Sequence, residues 1–186
     1  MRGIPNMQVF CPADEEELVA AMPEVIASRS PAYIRYNATP SAVDHTTPFQ
    51  IGKAEILSRG TDVTIVVYGF LLREAVKAQD ILEQSGYSVG LINLRTLKPI
   101  DQHSLITAAR ESKLLATVED HFLTGGLYSI LGEIFLKERI SAWVLPLALE
   151  NRWFKPALLD DLLSHEGFTG AQIADRIITA LKANHN

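Results

Sequence analysis

Glu119, Asp120 and His121 stand together directly after the apolar run Leu114 to Val118. In open parallel sheets, functional groups collect beyond the carboxyl ends of strands. Imidazole titrates near neutrality and a neighbouring acid can fix its tautomer, so Glu119 and His121 are candidates for proton transfer. The same residues would serve equally to cap the next helix or to line a subunit contact, since no nucleophile or metal-ligand spacing accompanies them. Thr124-Gly125-Gly126 opens that helix. Paired glycines let another backbone or an anion approach helix-start amides, which makes Asp120, Gly125 and Gly126 an interface or anion candidate, with packing favoured. They do not form a dinucleotide or P-loop fingerprint.

Arg35, followed by Asn37, could clamp a carboxylate or phosphate bidentately or form a plain surface ion pair. Asp101 reads as a helix cap. His45, His103, His165 and His185 are scattered without metal-site spacing. Trp153-Phe154-Lys155-Pro156 is a docking patch or, by preference, a satellite of the core. Cys11 adjoins an apolar run and reads as a small buried hydrophobe.

These residues need elements to position them. Met7 to Phe10 is a short strand. Asp14, with Glu17 three residues on, caps a helix whose Leu18, Ala21, Met22, Val25 and Ile26 share one face. Pro23 should kink it. Ala32 to Tyr36 is again strand-like. Residues 37–50 hold two prolines and three threonines without periodicity, marking a connecting segment. Beyond it, strands at 62–69, 88–93, 114–118 and 143–148 alternate with helices. The faces of those helices are Leu71/Ala75/Ala78/Leu82, Leu105/Ala108/Ala109 and Leu127/Ile130/Leu131/Ile134. Ala54 to Leu57 reads as an antiparallel edge strand. Thr169-Gly170-Ala171-Gln172 is a capping box for a last helix carrying Ile173, Ile177 and Leu181. The alternation predicts an α/β fold, a mostly parallel sheet with helices on both faces and right-handed crossovers, preceded by a strand-helix-strand unit.

Composition narrows the function classes. The 186 residues are 47% hydrophobic and 21% charged, which is globular. A net charge of -5 argues against a duplex-binding domain. No apolar run is long enough to span a bilayer, and the first residues have no signal-peptide core. One cysteine excludes an internal disulfide and fits a reducing cytoplasm.

Several stretches taken together resemble the C-terminal portion of thiamine diphosphate-dependent transketolases. They are Ile4-Pro5-Asn6-Met7 through Pro12-Ala13-Asp14, Pro31-Ala32-Tyr33-Ile34-Arg35 and Phe49-Gln50-Ile51-Gly52-Lys53-Ala54. Further on come Leu94-Arg95-Thr96-Leu97-Lys98-Pro99-Ile100-Asp101 and Val118-Glu119-Asp120-His121 leading to Gly125-Gly126-Leu127. Small split transketolase subunits match best, with 2-oxo-acid dehydrogenase beta subunits and deoxyxylulose-phosphate synthase related. The resemblance implies three parts: residues 1–36 as the tail of a pyrimidine-binding domain, 37–50 as linker, and 51–186 as the transketolase C-terminal domain.

It also implies that the coenzyme, thiamine diphosphate with magnesium, belongs to the complete enzyme rather than to this chain alone. Members hold the diphosphate through a Gly-Asp-Gly segment, which this sequence lacks. The activating glutamate would lie before its first residue. The expected role is therefore structural and dimer-forming within a ketol-transferring enzyme, with a homo-oligomeric mate or a companion chain supplying the cofactor domains. The sequence departs from the family pattern at Asn37, where an arginine for substrate phosphate is common, at Tyr128, and over residues 146–156. The alternatives are a non-enzymatic interaction module, part of a 2-oxo-acid dehydrogenase beta subunit, or an independent enzyme using Glu119 and His121.

Overall fold

The computed structural model describes residues 1–183; His185 lies outside them. In chain order the elements are β1 (Gln8–Phe10), α1 (Glu15–Ala27), β2 (Ala32–Ile34), β3 (Glu55–Ser58), β4 (Val63–Val67), α2 (Leu72–Gln84), β5 (Val89–Asn93) and β6 (Thr96–Lys98). Then follow α3 (Gln102–Glu111), β7 (Leu114–Phe122), α4 (Leu127–Glu138), β8 (Val144–Leu149), α5 (Leu159–Glu166) and α6 (Gly170–Ala183).

The larger sheet has five strands in the order β3-β5-β4-β7-β8. β4 runs parallel to both β5 and β7, with Val63 beside Val89 and Leu114. β8 continues the parallel set, and β3 pairs antiparallel at the edge, as its sequence suggests. β4 is buried at every position because both faces are covered, which is why it reads as an unbroken apolar run. On one face Ile65, Val67, Leu71, Leu82, Ile173 and Ile177 pack together, and on the other Val66, Ile92, Leu105, Leu115, Leu127 and Leu131.

The smaller sheet has the order β2-β1-β6. β1 pairs parallel with β2 and antiparallel with β6, setting Phe10 beside Thr96. The opening strand-helix-strand unit thus takes its third strand from a segment that also follows directly on the larger sheet. Phe10, Ala21 and Val25 form its small core, and Phe49 meets Phe10 edge-on at 5.2 Å.

Several boundaries differ from the expectations. β7 runs on to Phe122, so Glu119, Asp120 and His121 lie within the strand rather than after it. β2 stops at Ile34 rather than Tyr36. β6 and α5 carry too little periodicity to be read locally. Ile26 is 68% exposed rather than facing the core, and α1 buries Glu17, Ala21 and Val25 instead. Pro23 sits in an uninterrupted helix on an exposed side, where the carbonyl it leaves unpaired can bond water. The capping box at α6 is present: Thr169 N–H donates to Gln172 Oε1 and Gln172 N–H donates back to Thr169 Oγ1.

Gly170 starts α6 hard against α2. Its N–H donates to Glu74 Oε2 at 2.8 Å, and a Cβ there would lie 2.5 Å from Lys77 Cβ and 3.0 Å from the Glu74 carbonyl oxygen. Gly132, inside α4, has open space where a Cβ would go. Gly170→Ala should therefore lower the urea-unfolding free energy by about 1–3 kcal/mol through overpacking. Gly132→Ala should raise it by roughly 0.5–1 kcal/mol through helix propensity.

Candidate functional site

The Glu119-Asp120-His121 run separates into three different environments, in a stretch where the β7–β8 register shifts between Val118 and Phe122. Glu119 points inward and is fully buried. Its Oε2 accepts the Leu127 N–H at 2.6 Å and its Oε1 the Tyr128 N–H at 3.0 Å, so a side chain from the strand caps the first turn of α4. A carboxylate suits the positive end of a helix. Burial pushes the Glu119 carboxyl up, and the two amide donors oppose it. Gly126 is required here: a Cβ at that position would run into the Glu119 carboxylate. Gly125 N–H donates to Ser129 Oγ at 2.8 Å. The amides of Gly125, Leu127 and Tyr128 are thus bonded within the protein.

Asp120 meets Arg35. The guanidinium donates to both carboxylate oxygens, NH1 to Oδ1 at 2.7 Å and NH2 to Oδ2 at 2.6 Å, with NH2 also reaching the Asp120 carbonyl at 3.1 Å. This two-pronged geometry is the one an arginine makes with a carboxylate, here one within the same chain. Burial pushes the Asp120 carboxyl up against the pull of Arg35. The pair ties the segment after β2 to the end of β7. His121 is exposed, and its Nδ1 lies 2.8 Å from the Phe122 carbonyl oxygen. Among the described residues no carboxylate hydrogen-bonds its ring.

A second polar cluster escaped residue-by-residue reading. Asp14, Glu17, Glu55 and Arg95 are each no more than 2% exposed. Arg95 Nε lies 2.9 Å from Glu17 Oε1, and its NH2 lies 2.6 Å from Glu55 Oε1. Its NH1 donates to the carbonyls of Thr47 and Pro48. His45 bridges two acids, with Nδ1 2.8 Å from Glu55 Oε2 and Nε2 2.9 Å from Asp14 Oδ2. Asn93 Nδ2 donates to Glu17 and Glu55. Asp14 caps α1 as expected, and Glu17 reaches back to the Ala13 N–H at 2.6 Å. The one signal in the sequence was polar residues set at the ends of otherwise apolar strands, Glu55 opening β3 and Asn93-Leu94-Arg95 closing β5.

Glu17, His45 and Glu55 bring their donor atoms within 4.8 Å of one another, a spacing a metal could use. Here the guanidinium of Arg95 already pairs with both glutamates, and both imidazole nitrogens face carboxylates. A cation would have to displace Arg95. His103 and His165 take no part in the cluster.

Two clefts bear on ligand binding. One, of about 220 Å³, is lined by Val9, Cys11, Arg35, Tyr68, His121 and Gly126, among others. Its two arginines, Arg2 and Arg35, are each paired two-pronged with an acid, Glu133 and Asp120. The other, of about 600 Å³, lies beside Phe122, Leu123 and Leu149, and its one charged lining residue is Glu150. The arginines of the first cleft are thus already paired, and no lysine or arginine lines the second. Cys11 is buried and its thiol is pushed up to about 12 by that burial, so it is no nucleophile. Trp153 is 98% exposed, while Phe154 stacks on Phe122 at 5.9 Å under the Arg152 guanidinium.

An open, mainly parallel α/β sheet with an antiparallel edge is joined by buried ion pairs to a short strand-helix-strand unit. The sequence profile described as "Transketolase, C-terminal domain" matches residues 52–173, and the chain belongs to that family. It is 33% identical over 189 residues to a 1-deoxy-D-xylulose-5-phosphate synthase of Synechococcus, covering 98% of this chain and 29% of that protein. A putative transketolase C-terminal section of Methanocaldococcus jannaschii is 30% identical, with 98% of this chain and 58% of that protein covered. A solved split-gene transketolase, described as an inactive beta4 tetramer, superposes with a TM-score of 0.89 at 32% identity, over 98% of this chain and 60% of the other. The chain spans between about a third and three fifths of these relatives.

The cap from Glu119 and the missing side chain at Gly126 act on one contact. Glu119→Ala should cost roughly 3 kcal/mol, about 1.5 kcal/mol for each charge-assisted hydrogen bond lost. Gly126→Ala should cost about 1–3 kcal/mol by forcing the carboxylate aside. Because both variants disturb one contact, the double variant should lose less than the sum of the two in urea unfolding.

Proposed function

We propose that this chain is the C-terminal section of a transketolase-type enzyme, which transfers two-carbon ketol units between sugars. In this reading it acts as a structural and assembly element in the cytoplasm. Residues 1–36 are the tail of a pyrimidine-binding domain, 37–50 a linker and the remainder the C-terminal domain. The thiamine diphosphate and magnesium are held by protein outside these residues, in a companion chain or in further copies.

The observation that carries the proposal is the family match to residues 52–173 combined with relatives much longer than this chain. The chemistry of the clefts supports the same division: the arginines near the junction are spent on Asp120 and Glu133, and the one charged residue lining the larger cleft is an acid. The relative described as an inactive tetramer of beta chains supports self-association without turnover.

What these residues contribute is position. The Arg35–Asp120 pair and the β1–β6 pairing hold the first segment against the C-terminal domain. The start of α4, with Asp120, Gly125, Gly126 and the partly exposed Tyr128, is the surface we assign to contact with a second copy. His121 and Glu119 supply no proton transfer in this reading.

Titration calorimetry tests it. The isolated chain should give no binding heat with thiamine diphosphate and magnesium. Adding a companion that contains a Gly-Asp-Gly segment should restore both coenzyme binding and ketol transfer. Tight coenzyme binding by the isolated chain would overturn the division of labour.

A further inference from the structure

Residues 37–50 contain no helix or strand, yet they do not hang free. Thr39 Oγ1 donates to the Ala13 carbonyl, Ser41 Oγ to Asp14 Oδ2, and the carbonyls of Thr47 and Pro48 accept from Arg95. Val43 packs against the main core and Phe49 against Phe10. Between these anchors the residues are mostly exposed, and the inward-turned side chain at their centre is His45, only 7% exposed.

The geometry around His45 sets a strict proton requirement. A neutral imidazole has one N–H, so it can donate to only one of two acceptors. Here both ring nitrogens face carboxylate oxygens, Asp14 on the cap of α1 and Glu55 on β3. With the ring neutral, one of these contacts would set a lone pair against an anion. The charges agree. The groups facing His45 are Asp14 and Glu17 from the start of α1, Glu55 from β3, and Arg95 after β5; burial pushes the Glu17 carboxyl up, and even without its charge Asp14 and Glu55 outnumber the single guanidinium. An imidazolium lowers that imbalance, and its absence would leave buried negative charge unpaired.

We propose that residues 40–48 form a strap latched by the protonated ring of His45, which joins the start of α1 to the edge strand β3 and opens when that proton is lost. This holds whatever reaction the assembled enzyme performs. The hydrogen bonds from His45 to Glu55 and Asp14 lift the imidazole from its ordinary 6.5 to about 9, against the opposing effect of burial. The sign follows. A group whose pKa is raised on folding stabilises fully below its unfolded value and loses that contribution as pH rises through the folded one. The latch is therefore closed at neutral pH and released near pH 9. Asp14 and Glu55 shift the other way: burial raises both, but their hydrogen bonds outweigh it and leave them lowered. Their contribution is present above the ordinary carboxylate range and lost as pH falls below it. The closed strap thus has an acid limit as well as an alkaline one. Thr39 and Phe49 do not titrate, so the opening stays local and leaves the five-stranded sheet intact.

Limited digestion with subtilisin reads the opening, with each rate normalised to a synthetic peptide of residues 37–50 at the same pH. Cutting within 40–48 should rise about thirtyfold between pH 7.5 and pH 10, since with a pKa of about 9 the unprotonated ring grows from about 3% to about 90% of molecules. His45→Gln should already be cut at the higher rate at pH 7.5 and show no further rise. Unchanged cutting of the wild-type chain across that range, or an NMR titration of His45 centred near 6.5, would overturn the proposal. Should His45→Gln fail to fold, the wild-type digestion and the titration decide alone.

Discussion

Three acids, an arginine and a histidine are taken out of water at one place, and the rest of the molecule is arranged around that demand. Buried charges cost several kcal/mol each unless they are paired and hydrogen-bonded. Asp14, Glu17, Glu55, Arg95 and His45 find their opposite charges only together, because each supplies a partner that the others lack. They come from the start of α1, from the segment between β2 and β3, from β3 itself and from the turn between β5 and β6. Mutual satisfaction of these charges requires all four pieces of chain to be in register. The β1–β6 pairing follows the same logic, since Arg95 immediately precedes β6 and the Arg95 carbonyl accepts the Cys11 N–H just after β1.

A second joint lies at the end of β7. Arg35 reaches Asp120 while the neighbouring Glu119 turns inward to hold α4. One strand terminus therefore orients a helix with one acid and fastens the opening unit with the next. The opening unit is held by charge pairs, while the apolar packing of the five-stranded sheet provides the stable base.

Much of the fold was legible because its signals are local. Apolar runs gave the central strands, Asp101 and the Thr169–Gln172 box gave helix starts, and the antiparallel edge followed from a short strand before the parallel set. β6 was not legible, since three residues gain strand character only from β1, far away in sequence. The environments of Glu119 and His121 were not legible either. Residue type suggests an acid beside a base, and only burial reveals that one is a sealed helix cap and the other a solvent-facing ring. His45 looked isolated because its partners stand 10 and 31 residues away on different elements. Histidine count and spacing carry no information about such a meeting.

Arg95 is the member on which two acids and two backbone carbonyls converge, so its replacement tests the charge cluster most directly. Urea unfolding of Arg95→Met at neutral pH should show a loss of about 3–5 kcal/mol, the range for breaking a buried ion pair from one side. A stability within about 1 kcal/mol of the wild-type chain, the range typical of a surface ion pair, would contradict it.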